Sequence, residues 1–141
     1  MAEPSKAERP RAEAEEGFGD PLSAPFWEAA ARRELVVQRC RGCGTHQFFA
    51  RPFCLQCDGV DLTWVKASGL GTIYSMTTVR RTVSAEFPAP YVNALVDLDE
   101  GPRLLTNIVG GPSAIGDRVR VAWRDRPAGP PLPVFEPLRP A

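Results

Sequence analysis

The stretch RCRGCGTHQFFARPFCLQC, residues 39–57, contains all four cysteines of the chain and its single histidine. Cys40 and Cys43 form one Cys-x-x-Cys pair, and Cys54 and Cys57 form a second pair after a spacer of ten residues. Two thiolates separated by two residues can converge on one ion, and two such pairs complete a tetrahedral four-sulfur shell. The spacing therefore predicts a structural zinc site, although an iron held by four cysteines would satisfy the same ligands.

A closed four-sulfur shell leaves no position for a water molecule, so we assign the metal a structural and not a catalytic role. The two pairs define a zinc ribbon over residues 37–60, which is too small to fold without a metal. Its spacer is expected to be a hairpin or loop in which three phenylalanines form a small apolar cluster: Phe48, Phe49 and Phe53. His46 is expected to be a surface or hydrogen-bonded residue and not a fifth ligand.

The overall composition argues against several classes of function. The chain has 141 residues, with 17 basic and 17 acidic side chains and a formal net charge of zero. Neither nucleic acid nor an anionic membrane surface is therefore expected as a partner. Residues 1–20 are mostly charged or small and are predicted to be a flexible tail. Because this segment lacks the apolar core of a signal peptide and no apolar run could span a bilayer, a cytoplasmic location is expected.

Residues 21–36 predict a short amphipathic helix of about three turns. Ser23 is a plausible N-cap, and Phe26, Ala30 and Leu35 fall near one face. Packing on the chain's own core is the favoured interpretation, because short helices seldom persist without tertiary contacts. A role as a docking helix for a partner protein stays open.

Residues 61–141 have the alternating pattern of a β-barrel. The predicted strands lie in DLTWVKA (61–67), TIYSMTTVRR (72–81), a hairpin of 91–98 and 103–109, RVRVAWRD (118–125) and VFEPL (134–138). About five strands without a convincing helix favour a small closed antiparallel barrel such as an OB-fold over a sandwich, which needs about seven. The predicted fold class is mainly β, with an N-terminal helix, a rubredoxin-like zinc ribbon and a C-terminal OB-fold barrel.

Several motifs in one order resemble a known family. They are FWEAA, LVVQRCRGCG, PFCLQC, GLGTIYSMTTV, PAPYVNALVDLDEGPRLLTNIVG, IGDRVRV and LPVFEP. Together they resemble the family, first described as a domain of unknown function, in which a rubredoxin-like zinc ribbon is fused to an OB-fold and is associated with acyl-CoA metabolism. The resemblance covers residues 22–138 and matches the family's four cysteines without substitution. The second pair is followed by Asp58 and then Gly59, where a glycine often follows directly.

The resemblance implies an accessory subunit. Related proteins pair with thiolase-superfamily enzymes, including the lipid-transfer-protein type of thiolase or aldolase in steroid degradation, and with MaoC-type hydratases. The chain would then bind and stabilise a thiolase-like protein acting on acyl-CoA or steroid-CoA thioesters, in a heterotetramer of two plus two subunits. Zinc would be its structural cofactor, with acyl-CoA as a further candidate ligand. The alternatives are a stand-alone acyl-CoA-binding protein and a nucleic-acid-binding zinc-ribbon and OB-fold module.

The residues themselves offer little for catalysis. A nucleophile needs a base within reach, and the one histidine of the chain lies in the ribbon beside cysteines that are assigned to the metal. The carboxylates of DLDE, residues 97–100, precede a Gly-Pro pair and are expected at a solvated hairpin tip. The chain is therefore not expected to turn over a substrate on its own.

The segment VRRTVSAEFPAP, residues 79–90, is the main candidate for a binding loop. It joins two predicted strands by a connection longer than the usual hairpin, and such loops are often functional. Arg80 and Arg81 are candidate contacts to acidic groups of a partner or to the phosphates of coenzyme A, and Phe87 is a candidate apolar anchor. Partner contact is the first hypothesis and coenzyme A contact the second.

Overall fold

The computed structural model of the protein describes residues 20–138. The tail predicted over residues 1–20 lies, except for Asp20, outside the described residues. None of the helical structure within residues 20–138 is long and apolar enough to cross a membrane.

The described chain is mainly β, as predicted. Its elements in order are α1 (Ala24–Ala31), β1 (Val36–Cys40), β2 (His46–Gln47), β3 (Leu62–Lys66), β4 (Leu70–Val79), β5 (Tyr91–Leu98), β6 (Arg103–Ile108), β7 (Arg118–Arg124) and β8 (Leu132–Pro137). These strands form a three-stranded sheet around the cysteine segment and a separate closed barrel.

Helix α1 is shorter than the three turns predicted from the sequence. Ser23 does occupy the N-cap position, but its side chain makes no capping bond and instead hydrogen-bonds to Asp20. The helix ends where Arg33 adopts a positive φ of 59°, a conformation that reverses the chain direction. Leu35 therefore lies beyond the helix, although it is buried as predicted.

The ribbon sheet has the strand order β2-β1-β3. Strand β1 pairs with β2 through Arg39 and His46, and it pairs with β3 along its whole length, from Val36 opposite Lys66 to Cys40 opposite Leu62. The alternating pattern of DLTWVKA predicts residues 62–66 as the start of the OB-fold. The structure instead pairs them with the ribbon, because the second cysteine turn delivers the chain directly to the free edge of β1.

The barrel is closed by five strands in the order β4-β5-β6-β8-β7, which confirms the predicted OB-like architecture. The long strand β4 pairs with β5 and β7 and contains a register shift between Ile73 and Ser75, which helps to bend it around the barrel. Closure comes from β8, which runs antiparallel to β7 and meets β6 in parallel at the pair Ile108 and Phe135.

One hydrophobic core connects the helix, the ribbon and the barrel. Phe26 of α1, Leu35, and Val37 of β1 belong to the same buried cluster as Ile73 and Phe135 of the barrel. The base of the ribbon sheet is therefore part of the barrel core, while the cysteines extend beyond it. This packing supports the interpretation in which α1 contacts the chain's own core.

Candidate functional site

The two cysteine pairs meet at one point. Cys40 ends β1, and the other cysteines lie in the two turns that flank the spacer. All four sulfur atoms lie within 4.8 Å of one another, and the Sγ atoms of Cys40 and Cys57, like those of Cys43 and Cys54, are 3.6 Å apart. Zinc bound tetrahedrally at about 2.3 Å from each sulfur requires sulfurs about 3.8 Å apart. The four cysteines are therefore positioned to bind a metal ion.

The two cysteine turns have the same backbone structure. In the first, the amide of Gly44 donates to the carbonyl of Cys40 at 2.8 Å, and in the second, the amide of Asp58 donates to the carbonyl of Cys54 at 2.9 Å. The residue directly after each pair adopts a positive φ, 77° for Gly44 and 62° for Asp58. Aspartate is among the few residues that tolerate this conformation. Asp58 thus takes the place of the glycine that the sequence lacks directly after Cys57.

The four sulfurs differ in their environment. Cys40 and Cys54 are buried, whereas Cys43 and Cys57 are exposed. The hydrogen bond between the Cys43 sulfur and the Thr45 hydroxyl, 3.2 Å apart, lowers the pKa of the Cys43 thiol to about 6. For Cys57, a backbone hydrogen bond with Gly59 lowers the pKa, but its sulfur contacts, with Cys40 the strongest, raise it to about 12. The lowered pKa of Cys43 favours its thiolate, the form that binds metal.

Two buried glutamines hold the ribbon together, and the sequence analysis did not identify them. The side-chain amide of Gln47 donates to the Gln38 carbonyl oxygen at 2.9 Å and to the Phe53 backbone carbonyl at 3.1 Å. Its own carbonyl oxygen accepts from the Leu55 amide at 3.0 Å, and Gln38 makes two hydrogen bonds with the backbone of Arg51. These bonds fasten the chain on both sides of Cys54. The available signal for Gln38 was a polar side chain directly after the apolar residues Val36 and Val37.

Replacing Gln47 with leucine is expected to loosen the ribbon. Leucine has a similar size but leaves the Phe53 carbonyl and the Leu55 amide without their side-chain partner, and it removes one of the two hydrogen bonds to the Gln38 side-chain oxygen, at a cost of about 1–3 kcal/mol. Denaturant unfolding should show this loss, and a chelator should remove zinc faster than from the wild type. Gln56→Leu is the matched control, because the Gln56 side chain is exposed. Equal denaturant midpoints of unfolding for Gln47→Leu and Gln56→Leu would contradict a structural role for Gln47.

The phenylalanines of the spacer do not form the predicted three-membered cluster. Phe48 packs against Phe26 of α1 with ring centroids 5.2 Å apart, and its ring lies 5.1 Å from that of Phe49. Phe49 and Phe53 are 45% and 42% exposed. Phe48 therefore joins the ribbon to the helix, and the others face solvent because the apolar space beneath the ribbon is already filled by residues of the shared core.

The candidate binding loop contains one anchored and two exposed residues. Phe87 is half-buried; the Arg124 guanidinium lies 4.6 Å from the centre of its ring, and the ring of Tyr91 is 6.0 Å away. Arg80 and Arg81 follow β4 and are exposed, and within residues 20–138 neither has a side-chain hydrogen bond or an ion pair. The structure therefore fixes Phe87 against the barrel and leaves both cations accessible to a partner or ligand.

The acidic hairpin tip is held by ion pairs. Asp97 contacts Arg103 and Asp99 contacts Arg118, each at 2.6 Å. The hydrogen bonds from Arg118 hold the pKa of the Asp99 carboxyl below its ordinary value, whereas a general acid needs a raised one. Glu100 accepts a hydrogen bond from the Ser68 amide at 2.8 Å. These contacts favour a structural role for the tip.

Family models match the chain in two consecutive segments. The ChsH2 rubredoxin-like zinc ribbon domain matches residues 27–63, and the ChsH2 C-terminal OB-fold domain matches residues 64–124. The junction lies within β3.

Among individual proteins, a probable enoyl-CoA hydratase alpha subunit of Thermomonospora curvata is 42% identical over 119 residues, which cover 82% of this chain. A DUF35 domain-containing scaffold protein of Methanothermobacter thermautotrophicus is 37% identical over 99 residues, or 66% of this chain and 74% of that protein. A solved structure described as Ltp2-ChsH2(DUF35) aldolase is similar with a TM-score of 0.78 and 38% identity, covering 84% of this chain and 96% of that chain. The match to the hydratase subunit spans only 37% of that protein's length.

Proposed function

This chain belongs to the DUF35 family, with the zinc ribbon and OB-fold domains of ChsH2, and we propose on that basis that it is an accessory subunit of a thiolase-like enzyme. It binds and stabilises the partner, and the partner carries out the carbon–carbon chemistry on an acyl-CoA or steroid-CoA thioester. The observation that carries the proposal is the similarity, over nearly the whole of the matched chain, to the structure described as Ltp2-ChsH2(DUF35) aldolase.

Two further observations support a binding role. A relative of similar length is described as a scaffold protein, a name that denotes assembly and not turnover. In addition, the residues that sequence analysis considered for acid–base chemistry are engaged in ion pairs at the hairpin tip. A protein that binds only the folded form of its partner stabilises that partner by mass action.

Stand-alone acyl-CoA binding is the second candidate function. The exposed cations Arg80 and Arg81 are suited to coenzyme A phosphates, which guanidinium groups bind well. Zinc binding by the chain would be the same in both cases, so metal content does not distinguish them. Binding of an acyl-CoA by the isolated chain would favour this second function.

The proposed assembly has two copies of the chain on a partner dimer. A symmetric dimer presents each surface patch twice, so each patch can take one copy. A light-scattering mass corresponding to two chains plus two partner subunits is expected. A mass corresponding to one chain per dimer would contradict this stoichiometry.

We expect the double variant Arg80→Ala/Arg81→Ala to bind the partner with an association rate about tenfold lower at low salt. The association rate should also depend less on salt concentration, because charged residues at the rim of an interface act mainly by attracting the partner before contact. Stopped-flow or biosensor rates at several salt concentrations measure both effects. Arg41→Ala, an exposed arginine of the ribbon, is the control. Unchanged affinity for both the partner and acyl-CoA would remove Arg80 and Arg81 from the binding site.

Gentle isolation of the tagged chain from its native host tests the proposed function. The bound protein is identified by mass spectrometry, and zinc is assayed in the same sample. A stoichiometric thiolase-like companion with about one zinc per chain is the expected result. Recovery of nucleic acid, or of the chain alone with a bound acyl-CoA, would contradict the proposal and favour the corresponding alternative. Iron in place of zinc would change the metal without changing the function.

A further inference from the structure

Strand β6 presents a large apolar side chain to solvent. Leu104 points into the barrel and is 2% exposed, whereas the next residue, Leu105, is 74% exposed. Successive residues of a strand face opposite sides, so one leucine of this pair has to lie outside. Its partner across the strand pair is Leu95, which is half-buried. An apolar side chain that stays in water does not stabilise the fold of the barrel. An exposed apolar patch is typical of an interaction site.

Leu105 separates two grooves. One, of about 300 Å³, lies between Leu105, the ribbon phenylalanines Phe48 and Phe49, and the start of β8 at Leu132. The other, of about 210 Å³, lies between Leu105 and the aromatic rings of Phe87 and Tyr91. All residues that line the two grooves are uncharged. The surface is therefore an apolar ridge with a depression on each side.

Two polar side chains of these grooves, Asn107 and Thr106, are hydrogen-bonded within the chain. The Asn107 side-chain amide donates to the Val92 carbonyl at 3.0 Å and to the Asn93 side-chain oxygen at 2.9 Å. The Thr106 hydroxyl donates to the Pro133 carbonyl at 3.0 Å. An occupant therefore does not need to supply hydrogen bonds to these groups, and the surface favours apolar groups that displace water.

Arg80 and Arg81, which have no carboxylate partner among residues 20–138, lie beside the second groove. Val79 at the end of β4 is paired with Tyr91, which lines the second groove. Arg80 and Arg81 are the next two residues of the chain, so they lie close to that groove. Seven other arginines of residues 20–138 lie within ion-pair distance of a carboxylate, as Arg103 does with Asp97, whereas Arg39, Arg51 and Arg124 do not. The occupant that fits both features has an uncharged centre and carboxylates at one edge.

We propose that Leu105 and its two grooves form the surface on which the thiolase-like partner docks. The partner inserts apolar side chains on either side of Leu105 and places acidic side chains opposite Arg80 and Arg81. A second copy of this chain fits less well, because the same surface offers no carboxylate to these arginines. An acyl-CoA also fits less well, since ligand pockets usually enclose about 300–1,000 Å³, and here the ridge divides one groove at the lower end of that range from a second, smaller one. This inference rests on the proposed function and identifies its contact surface.

The test uses the thiolase-superfamily protein that co-isolates with the wild-type chain, produced separately and titrated with purified variants. Leu105→Asp is expected to weaken binding at least about 30-fold, because it places a charge at the centre of an apolar interface. Ile115→Asp is the matched control: Ile115 is 64% exposed and lines neither groove, and this variant should bind like the wild type. Leu105→Ala, which introduces no charge, should weaken binding about tenfold. Zinc content and melting temperature establish that each variant is folded.

Each result has a distinct meaning. If the partner binds wild type and Leu105→Asp equally, the surface assignment is wrong while the proposed function stands. If no thiolase-superfamily protein accompanies the wild-type chain, the proposed function fails and the docking assignment fails with it. If the wild-type chain alone forms dimers that Leu105→Asp dissociates, the face is a self-association surface. If the chain alone binds octanoyl-CoA and Leu105→Asp abolishes this binding, the grooves hold a thioester. Either of the last two results would overturn the proposal.

Discussion

Replacing Cys54 with serine is expected to reduce the metal content from about one zinc per chain to near zero and to unfold the ribbon. Cys54 is completely buried, and its sulfur lies 3.6 Å from that of Cys43. Serine offers a poor ligand for zinc in place of a thiolate. Because a structural metal contributes its binding free energy to folding, the variant should also melt at a lower temperature and lose its partner. Metal analysis and thermal unfolding of the purified chain measure these effects.

Leu55→Ser is the matched control for this experiment. Leu55 is the next residue of the same turn, is 59% exposed and does not belong to the cysteine cluster. It should keep its zinc and melt close to the wild type. Stoichiometric zinc and an unchanged melting temperature in Cys54→Ser would contradict the assignment of the four cysteines as one metal site.

Replacing Phe135 with alanine is expected to destabilise the chain by about 3–5 kcal/mol. Phe135 is 0% exposed and is among the largest fully buried side chains. It also lies where the barrel closes: it is paired with Val121 of β7 and with Ile108 of β6, and its carbonyl accepts from the Val109 amide at 2.8 Å. The substitution therefore creates a cavity at the closure of the barrel.

Denaturant unfolding measures this loss of stability. Tyr74→Ala is the control, since Tyr74 lies on the outside of β4 and is 52% exposed; this substitution should cost much less, because no internal cavity is left. If the two variants had equal stability, Phe135 could not be the centre of the core. Since Val37 of the ribbon belongs to the same core as Phe135, Phe135→Ala should also release zinc to a chelator more readily.

The metal site and the barrel could be predicted because their signals are local. The Cys-x-x-Cys spacing brings Cys40 and Cys43 together whatever the rest of the chain does. Alternating side chains in RVRVAWRD likewise identify β7 without knowledge of its neighbours. The family resemblance then placed the ribbon and the OB-fold in the correct order, and the family models confirm both.

Features that depend on pairing between distant segments could not be read from the sequence. The alternation in residues 62–66 predicts a strand, but only the register with β1 shows that this strand belongs to the ribbon sheet. The pairing of β1 with β2 in the same sheet places Gln38 opposite Gln47, with both side chains buried. The sequence LL at 104–105 requires one leucine to face outward, yet the groove beside Leu105 is completed by Phe49, which lies far away along the chain. The proposed docking surface is thus a product of tertiary structure.

We propose that the chain is a subunit that stabilises a thiolase-like partner without carrying out its chemistry. The most direct measurement combines the purified zinc-loaded chain with the purified partner, and follows the partner's melting temperature together with thioester turnover by each component alone and by the mixture. We expect a higher melting temperature for the partner in the mixture and no turnover by the chain alone. An unchanged melting temperature at saturating chain, or turnover by the chain in the absence of the partner, would contradict the proposal.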